Sequence, residues 1–200
     1  MTILYLMNRA RTFDPATTLG QIVDLFSSKG YAETSMEDIV QETGVSRYGL
    51  YGTFGNKREL FEQALEQYAD SIGKRSFLRL LEPGASLEHI RQIFEARIAE
   101  MFCGDERKGC LFIHTAMELA PQDEELRGVL QRFMKRIAKA FAIGLDSAKG
   151  RGEISEDVDV EVAGDLLTST MFGLGVLGRA GYSTDALRAI VENTLDGFRP

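Results

Sequence analysis

Cys110 and His114 stand four residues apart in GCLFIHTAMELA, a spacing that brings both side chains to one face of a helix. A thiol and an imidazole on one face could do three kinds of chemistry. They could ligate a metal if Cys103 or Glu118 supplied a further donor. They could act as a nucleophile and its base, but catalysis would also need an orienting third group and an oxyanion hole, and the sequence offers neither. Alternatively, Cys110 follows Arg107-Lys108-Gly109 near a helix start, a setting that activates thiols toward electrophiles or oxidants. Against all three stands a plain buried cysteine. No enzymatic activity, metal or cofactor is expected on these grounds.

A second stretch carries binding chemistry. The chain has a formal net charge of −7. Residues 1–75 hold 8 Lys and Arg against 10 Asp and Glu, so both ends of the chain are acidic. Yet residues 43–58, TGVSRYGLYGTFGNKR, contain no acid and carry Arg47, Lys57 and Arg58 among glycines and aromatics. Any polyanion site must therefore be local. Arg47 can reach base edges or phosphate, and Tyr48 and Tyr51 can donate to phosphate or pack on a thymine methyl. Gly49 and Gly52 cost about 1 kcal/mol each inside a helix, which close approach to a partner would offset.

The elements that position these groups read as helices throughout. Leu19, Ile22, Val23 and Phe26 follow one helical face that stops at Lys29-Gly30. Ser35 with Asp38 reads as a capping box, Gly44 closes a short helix, and Ser46 caps a second one over 47–53. Asn56 caps a longer helix, and Ser86 another after the EPGAS linker. Further helices are expected from Gly109 to about Ala120 and over 123–147, 157–180 and 184–198. The fold is all-α with about nine helices, and no stretch of 18 consecutive apolar residues suggests a membrane span. Residues 1–6 precede a more ordinary polar start at Met7 and are expected to be a disordered extension or a misassigned start. Two cysteines make no disulfide framework, which suits a cytoplasmic protein.

Two short helices around a glycine-containing turn form a helix-turn-helix. Residues 30–61 resemble the DNA-binding domain of the TetR family of transcriptional regulators. The resemblance rests on Gly30-Tyr31 before Thr34-Ser35, on Gly44-Val45-Ser46, on Leu50-Tyr51 with Phe54, and on Lys57 with Leu60-Phe61. It is strong over 16–68, extends to the arm RARTFDP (9–15), and is architectural beyond residue 80. Tyr48 and Gly52-Thr53 depart from the family's usual choices, which bears on the operator sequence rather than the fold. The resemblance implies a flexible arm (1–15), a DNA-binding domain (16–62) and a ligand-binding and dimerisation domain (63–200). It further implies that Thr34 and Ser35 touch phosphate, with Ser46 among the DNA-binding residues. Arg47, Tyr48 and Gly49 would read bases, and Tyr51 and Lys57 would hold the backbone.

The resemblance also implies an effector pocket in the larger domain. The expected wall is Phe94, Ile98, Phe102, Ile113, Met117, Phe133, Ile137 and Met171, with Cys110 and His114 beside it. Gly164, Gly173, Gly175 and Gly178 would let helices approach closely, so 157–180 and 184–198 are expected to form a homodimer face. The whole reads as a repressor released from duplex operator DNA by a small, mostly apolar or electrophilic effector. The alternative is a helical small-molecule or thiol sensor with little DNA role.

Overall fold

The computed structural model describes residues 13–73, 77–102 and 109–200. Arg9, Arg11 and most of the expected arm, together with Cys103, Arg107 and Lys108, lie outside these. The described residues form nine α-helices: α1 Pro15–Lys29, α2 Met36–Thr43, α3 Arg47–Phe54, α4 Lys57–Ile72, α5 Leu87–Met101, α6 Leu111–Glu118, α7 Glu124–Gly150, α8 Val160–Arg179 and α9 Thr184–Asp196. A 3-10 turn, Leu78–Leu81, joins α4 to α5 and has no signal in the sequence pattern. The dividing point at 62/63 falls inside α4, which runs unbroken from the small head into the larger body.

Caps fix most boundaries. Ser35 and Asp38 form a reciprocal box at α2, as do Asn56 and Glu59 at α4 and Ser86 and His89 at α5. Asp159 accepts from the amides of Glu161 and Val162, so α8 starts at residue 160 rather than 157. Gly44 takes the left-handed conformation (φ 66°) that ends α2, where other residues are strained.

The head is α1 to α4 around Phe26, Phe61 and Leu50. Phe26 and Phe61 meet edge-on with ring centroids 5.0 Å apart. The body is built on α7 and α8, the most extensively packed helix pair. Its core carries Phe94 stacked on Phe141 at 5.7 Å and Phe112 on Phe133 at 3.8 Å.

The α8 glycines do not form one outward stripe. A Cβ on Gly164 would lie 2.5 Å from the carbonyl oxygen of Ala138, so this glycine lets α8 press onto the backbone of α7 in the same chain. Gly175 faces Ile113 and Gly178 faces Met101, each at 3.0 Å. Only the Cβ direction of Gly173 is open. Gly164→Ala is therefore expected to destabilise the protein by about 1–3 kcal/mol through overpacking. Thermal unfolding checks this, and an unchanged midpoint would argue against the close α7–α8 approach.

Candidate nucleic-acid interface and its coupled cavity

Helix α3 is held from one side only. Leu50 and Phe54 are buried, and Phe13 packs on Phe54 with ring centroids 6.4 Å apart. Ser46 accepts the Gly49 amide as N-cap. The opposite face is open: Tyr48 is 87% exposed and Tyr51 43%. Arg47 is exposed too, and its guanidinium lies 2.8 Å from Glu37 of α2. The folded chain thus brings an acid to a segment that has none of its own. Both partners are solvated, so the pair holds Arg47 weakly and leaves it free to exchange a carboxylate for a phosphate or base edge.

The two glycines of α3 separate. A Cβ at Gly49 would point at Val45 and Phe13, 3.1 and 3.4 Å away, so its smallness serves packing as well as the face. Gly52 has nothing within 4 Å. No contact within the described residues accounts for its cost, so the open backbone that the sequence pointed to is present at Gly52 alone of the two.

Thr34 corrects the sequence reading. Its side chain is fully buried, and its hydroxyl donates to the Gly30 carbonyl oxygen at 2.6 Å, so it ties the α1–α2 turn instead of facing outward. Ser35 is exposed, with its hydroxyl on Asp38. That hydrogen bond, joined by Lys29 at 2.9 Å, holds the Asp38 carboxyl well below the usual carboxylate range. Lys57, the first residue of α4, sits half-buried over the Tyr31 ring at 4.2 Å from its centroid. Burial lowers its pKa, while Glu118 and Asp38 oppose that fall, and at the first position of α4 its charge adds to the positive end of the helix.

Helix α6 joins this head to the body. At its far end the Glu118 carboxylate accepts the amides of Tyr31 and Ala32 at 2.9 and 3.0 Å, and its other oxygen lies 3.1 Å from His114 Nδ1. At its near end Cys110 is the N-cap residue, with extended backbone and no side-chain cap bond, which is why α6 begins at Leu111 and not at Gly109. The pair suspected from its spacing therefore divides. Cys110 faces a body cavity, and His114 faces the head. Among the described residues no group of three His, Cys, Asp or Glu is placed to hold a metal ion.

The cavity, of about 70 Å³, lies among α4, α5, α6, α7 and α8. Cys110, Ile113, Phe133, Ile137 and Met171 line it as expected. Phe94 and Ile98 do not; both are fully buried in the core. His114 and Phe102 lie outside it as well, and Met117 is 75% exposed. Sequence reading missed Tyr68, Arg97 and Glu100, the polar part of the wall. The Tyr68 hydroxyl is 3.6 Å from the Cys110 sulfur, and burial first, then Cys110, pushes its pKa far up. It remains a neutral donor.

Residues 19–64 match the family model described as bacterial regulatory proteins, tetR family, and residues 86–194 match the tetracyclin repressor-like C-terminal domain. The chain is 32% identical over 190 residues to the uncharacterized HTH-type transcriptional regulator YezE of Bacillus subtilis (strain 168), across 94% of this chain and 98% of that one. It is 29% identical over 188 residues to the HTH-type transcriptional repressor ComR of Escherichia coli (strain K12), across 94% and 90%. Among solved structures, a cysteine mutant of the transcriptional regulator CifR, complexed with 26-base-pair double-strand operator DNA, resembles it with a TM-score of 0.81 and 26% identity, over 94% of this chain and 98% of that one.

Gly52→Ala separates the two demands on α3. The substitution is expected to raise stability by about 0.5–1 kcal/mol by helix propensity, while weakening binding to a duplex. Paired thermal unfolding and fluorescence anisotropy read both effects. A stabilised variant with undiminished affinity would leave Gly52 as plain solvent-facing surface.

Proposed function

Because this chain belongs to the TetR family of DNA-binding transcriptional regulators, we propose that it is a cytoplasmic homodimeric repressor released from its operator when a small effector enters the α4–α8 cavity. The observation that carries the DNA side is α3 itself. Leu50 and Phe54 fix one face, and the other presents Arg47, Tyr48, Tyr51 and an unhindered Gly52. Arg47, Tyr48 and Gly52 would meet base edges. Ser35, Ser46, Tyr51 and Lys57 would meet phosphates, Lys57 with the help of the α4 N-terminus. Repression is supported by relatives such as ComR, a transcriptional repressor by name.

One α3 reads too few base pairs, so two copies are needed, with half-sites about 34 Å apart. The surface that suits the second copy is the outer face of α8 with α9. Val162, Leu166 and Val176 stand exposed there, with the open flank of Gly173 between them. Two copies would bury these residues in a four-helix arrangement. Release follows from α6, a rod of about 12 Å by helical rise, whose first residues line the cavity and whose last carboxylate grips the head. An effector that prefers a different tilt of α6 shifts the separation of the two reading helices by its differential affinity alone. The effector is either a mostly apolar molecule or an electrophile that adds to Cys110, the one thiol among the described wall residues.

Anisotropy of a labelled duplex from upstream of the protein's own gene tests this. Wild type is expected to bind with a steep salt dependence, with a log–log slope of about −0.9 per phosphate neutralised. Arg47→Ala is expected to lose about 1–3 kcal/mol of binding. Leu166→Asp is expected to give a monomer by sedimentation that binds far more weakly. Binding unaffected by either variant would defeat the reading.

A further inference from the structure

The polar part of the cavity is lopsided. Arg97 projects from α5 into it, with its side chain only 18% exposed. Among the described residues it pairs with the Glu100 carboxylate, whose Oε2 is 3.6 Å away and whose side chain is largely solvated. A guanidinium has five N–H donors in a planar fork, and a 3.6 Å pair with a rim carboxylate is a stretched use of it. Beside it the Tyr68 hydroxyl donates, among the described residues, to a sulfur at 3.6 Å, a weak acceptor. Arg97 and Glu100 are the only charged side chains among the described wall residues, and most of the rest are apolar: Ile93, Phe112, Phe133, Ile137, Met171 and Phe172 among them.

A buried charge is costly without a partner that satisfies its hydrogen bonds. Here two donors face a small apolar space in which Glu100 is the only charged acceptor among the described wall residues. Resting on the reading of this cavity as the effector site, we infer that the effector is a small carboxylate on an apolar body, its two oxygens taking the Arg97 fork and the Tyr68 hydroxyl while its body packs against Phe112, Phe133 and Met171. Entry of the acid displaces Glu100, which sits at the rim and swings into water at little cost. The planar two-oxygen acceptor matches the guanidinium fork in a way that a carboxamide, neutral and with one oxygen, does not.

The test uses matched acid and amide pairs with the full-length protein: benzoate and benzamide, hexanoate and hexanamide, 4-methylpentanoate and 4-methylpentanamide. Calorimetry and thermal unfolding are run on each. At least one acid is expected to bind tenfold or more tightly than its amide and to raise the unfolding midpoint. Arg97→Gln is expected to erase that preference. If that variant fails to fold, Arg97→Lys, which keeps the charge but loses the fork, and Tyr68→Phe, which loses the hydroxyl, are each expected to lower acid affinity several-fold. Amides that bind as well as acids, a preference that survives these variants, or no acid binding at all would overturn the inference. Operator anisotropy on the same samples separates the two levels. Tight operator binding relieved by a neutral compound or by N-ethylmaleimide, but by no acid, would sink the carboxylate and leave the regulator standing. Absence of operator binding would sink the regulator as well.

Discussion

The Glu118 carboxylate, bound to two backbone amides of the head, is the interaction on which the rest of the arrangement turns. Those amides, on Tyr31 and Ala32, follow directly after the end of α1. Gly30 takes φ 86° there, and a Cβ on it would collide with the same carboxylate, so the turn is shaped around Glu118. Tyr31 in turn packs edge-on against Phe61 and lies under Lys57. One side chain of the body therefore sets the ring against which α4 begins, and α4 begins where α3 ends. Two other ties cross the same boundary. Arg58 pairs with Asp123, the N-cap of α7, and Arg179 at the end of α8 donates to the Ser28 carbonyl oxygen at 2.9 Å. The head is thus fixed to three separate helices of the body, which is what mechanical coupling between them requires.

The acidic balance of the chain makes sense in these terms. Glu37 neutralises Arg47 in the folded chain, and Asp38 draws in Lys29. Cations on the α2–α3 face are kept few and provisionally paired. A surface of this kind binds nonspecific DNA weakly, because the sequence-independent part of affinity grows with each phosphate neutralised. In the proposed complex, discrimination would then fall more heavily on shape and on base contacts of Arg47 and Tyr48 than on charge. The exposed tyrosines and the bare backbone at Gly52 fit a close, short-range interface.

Helix ends were legible in the sequence because capping is local: Ser35 with Asp38, Ser46, Asn56 and Ser86 all act within three residues, and all cap where expected. The cavity was half legible for the opposite reason. Periodicity locates the apolar stripe of α5, and Phe94 and Ile98 on that stripe go to the core. The cavity instead takes the neighbouring stripe of Ile93, Arg97 and Glu100, where two of three residues are charged and read as solvated surface. Met117 illustrates the same limit. On an eight-residue helix whose inward side is Leu111, Phe112 and Thr115, a large apolar residue has room to face water. Thr34 was misread because a short polar residue beside a cap looks alike whether its hydroxyl serves the turn or a partner. Which of two adjacent stripes meets a cavity is decided by the packing of other helices, and no single-helix pattern encodes it.

Helix α8 shows how one element can serve two surfaces. It is long and apolar enough to cross a membrane by length and composition, yet its inner side is committed to α7 through Gly164 and to α5 and α6 through Gly178 and Gly175. Apolarity on the outer side, at Val162, Leu166 and Val176, has no use within one chain. An exposed apolar stripe on a helix whose other side is already packed suits a cover from outside the chain. In the proposed dimer the second copy supplies that cover, and the glycines that draw α8 inward then fix where the partner helix must lie. The path from that interface to the DNA is short, since Arg179 closes α8 directly onto the last turn of α1. In that dimer the distance between the two copies of α3 would be set by packed helices and by this hydrogen bond. Close packing of that kind would let a small change at the cavity reach α3 in the proposed release.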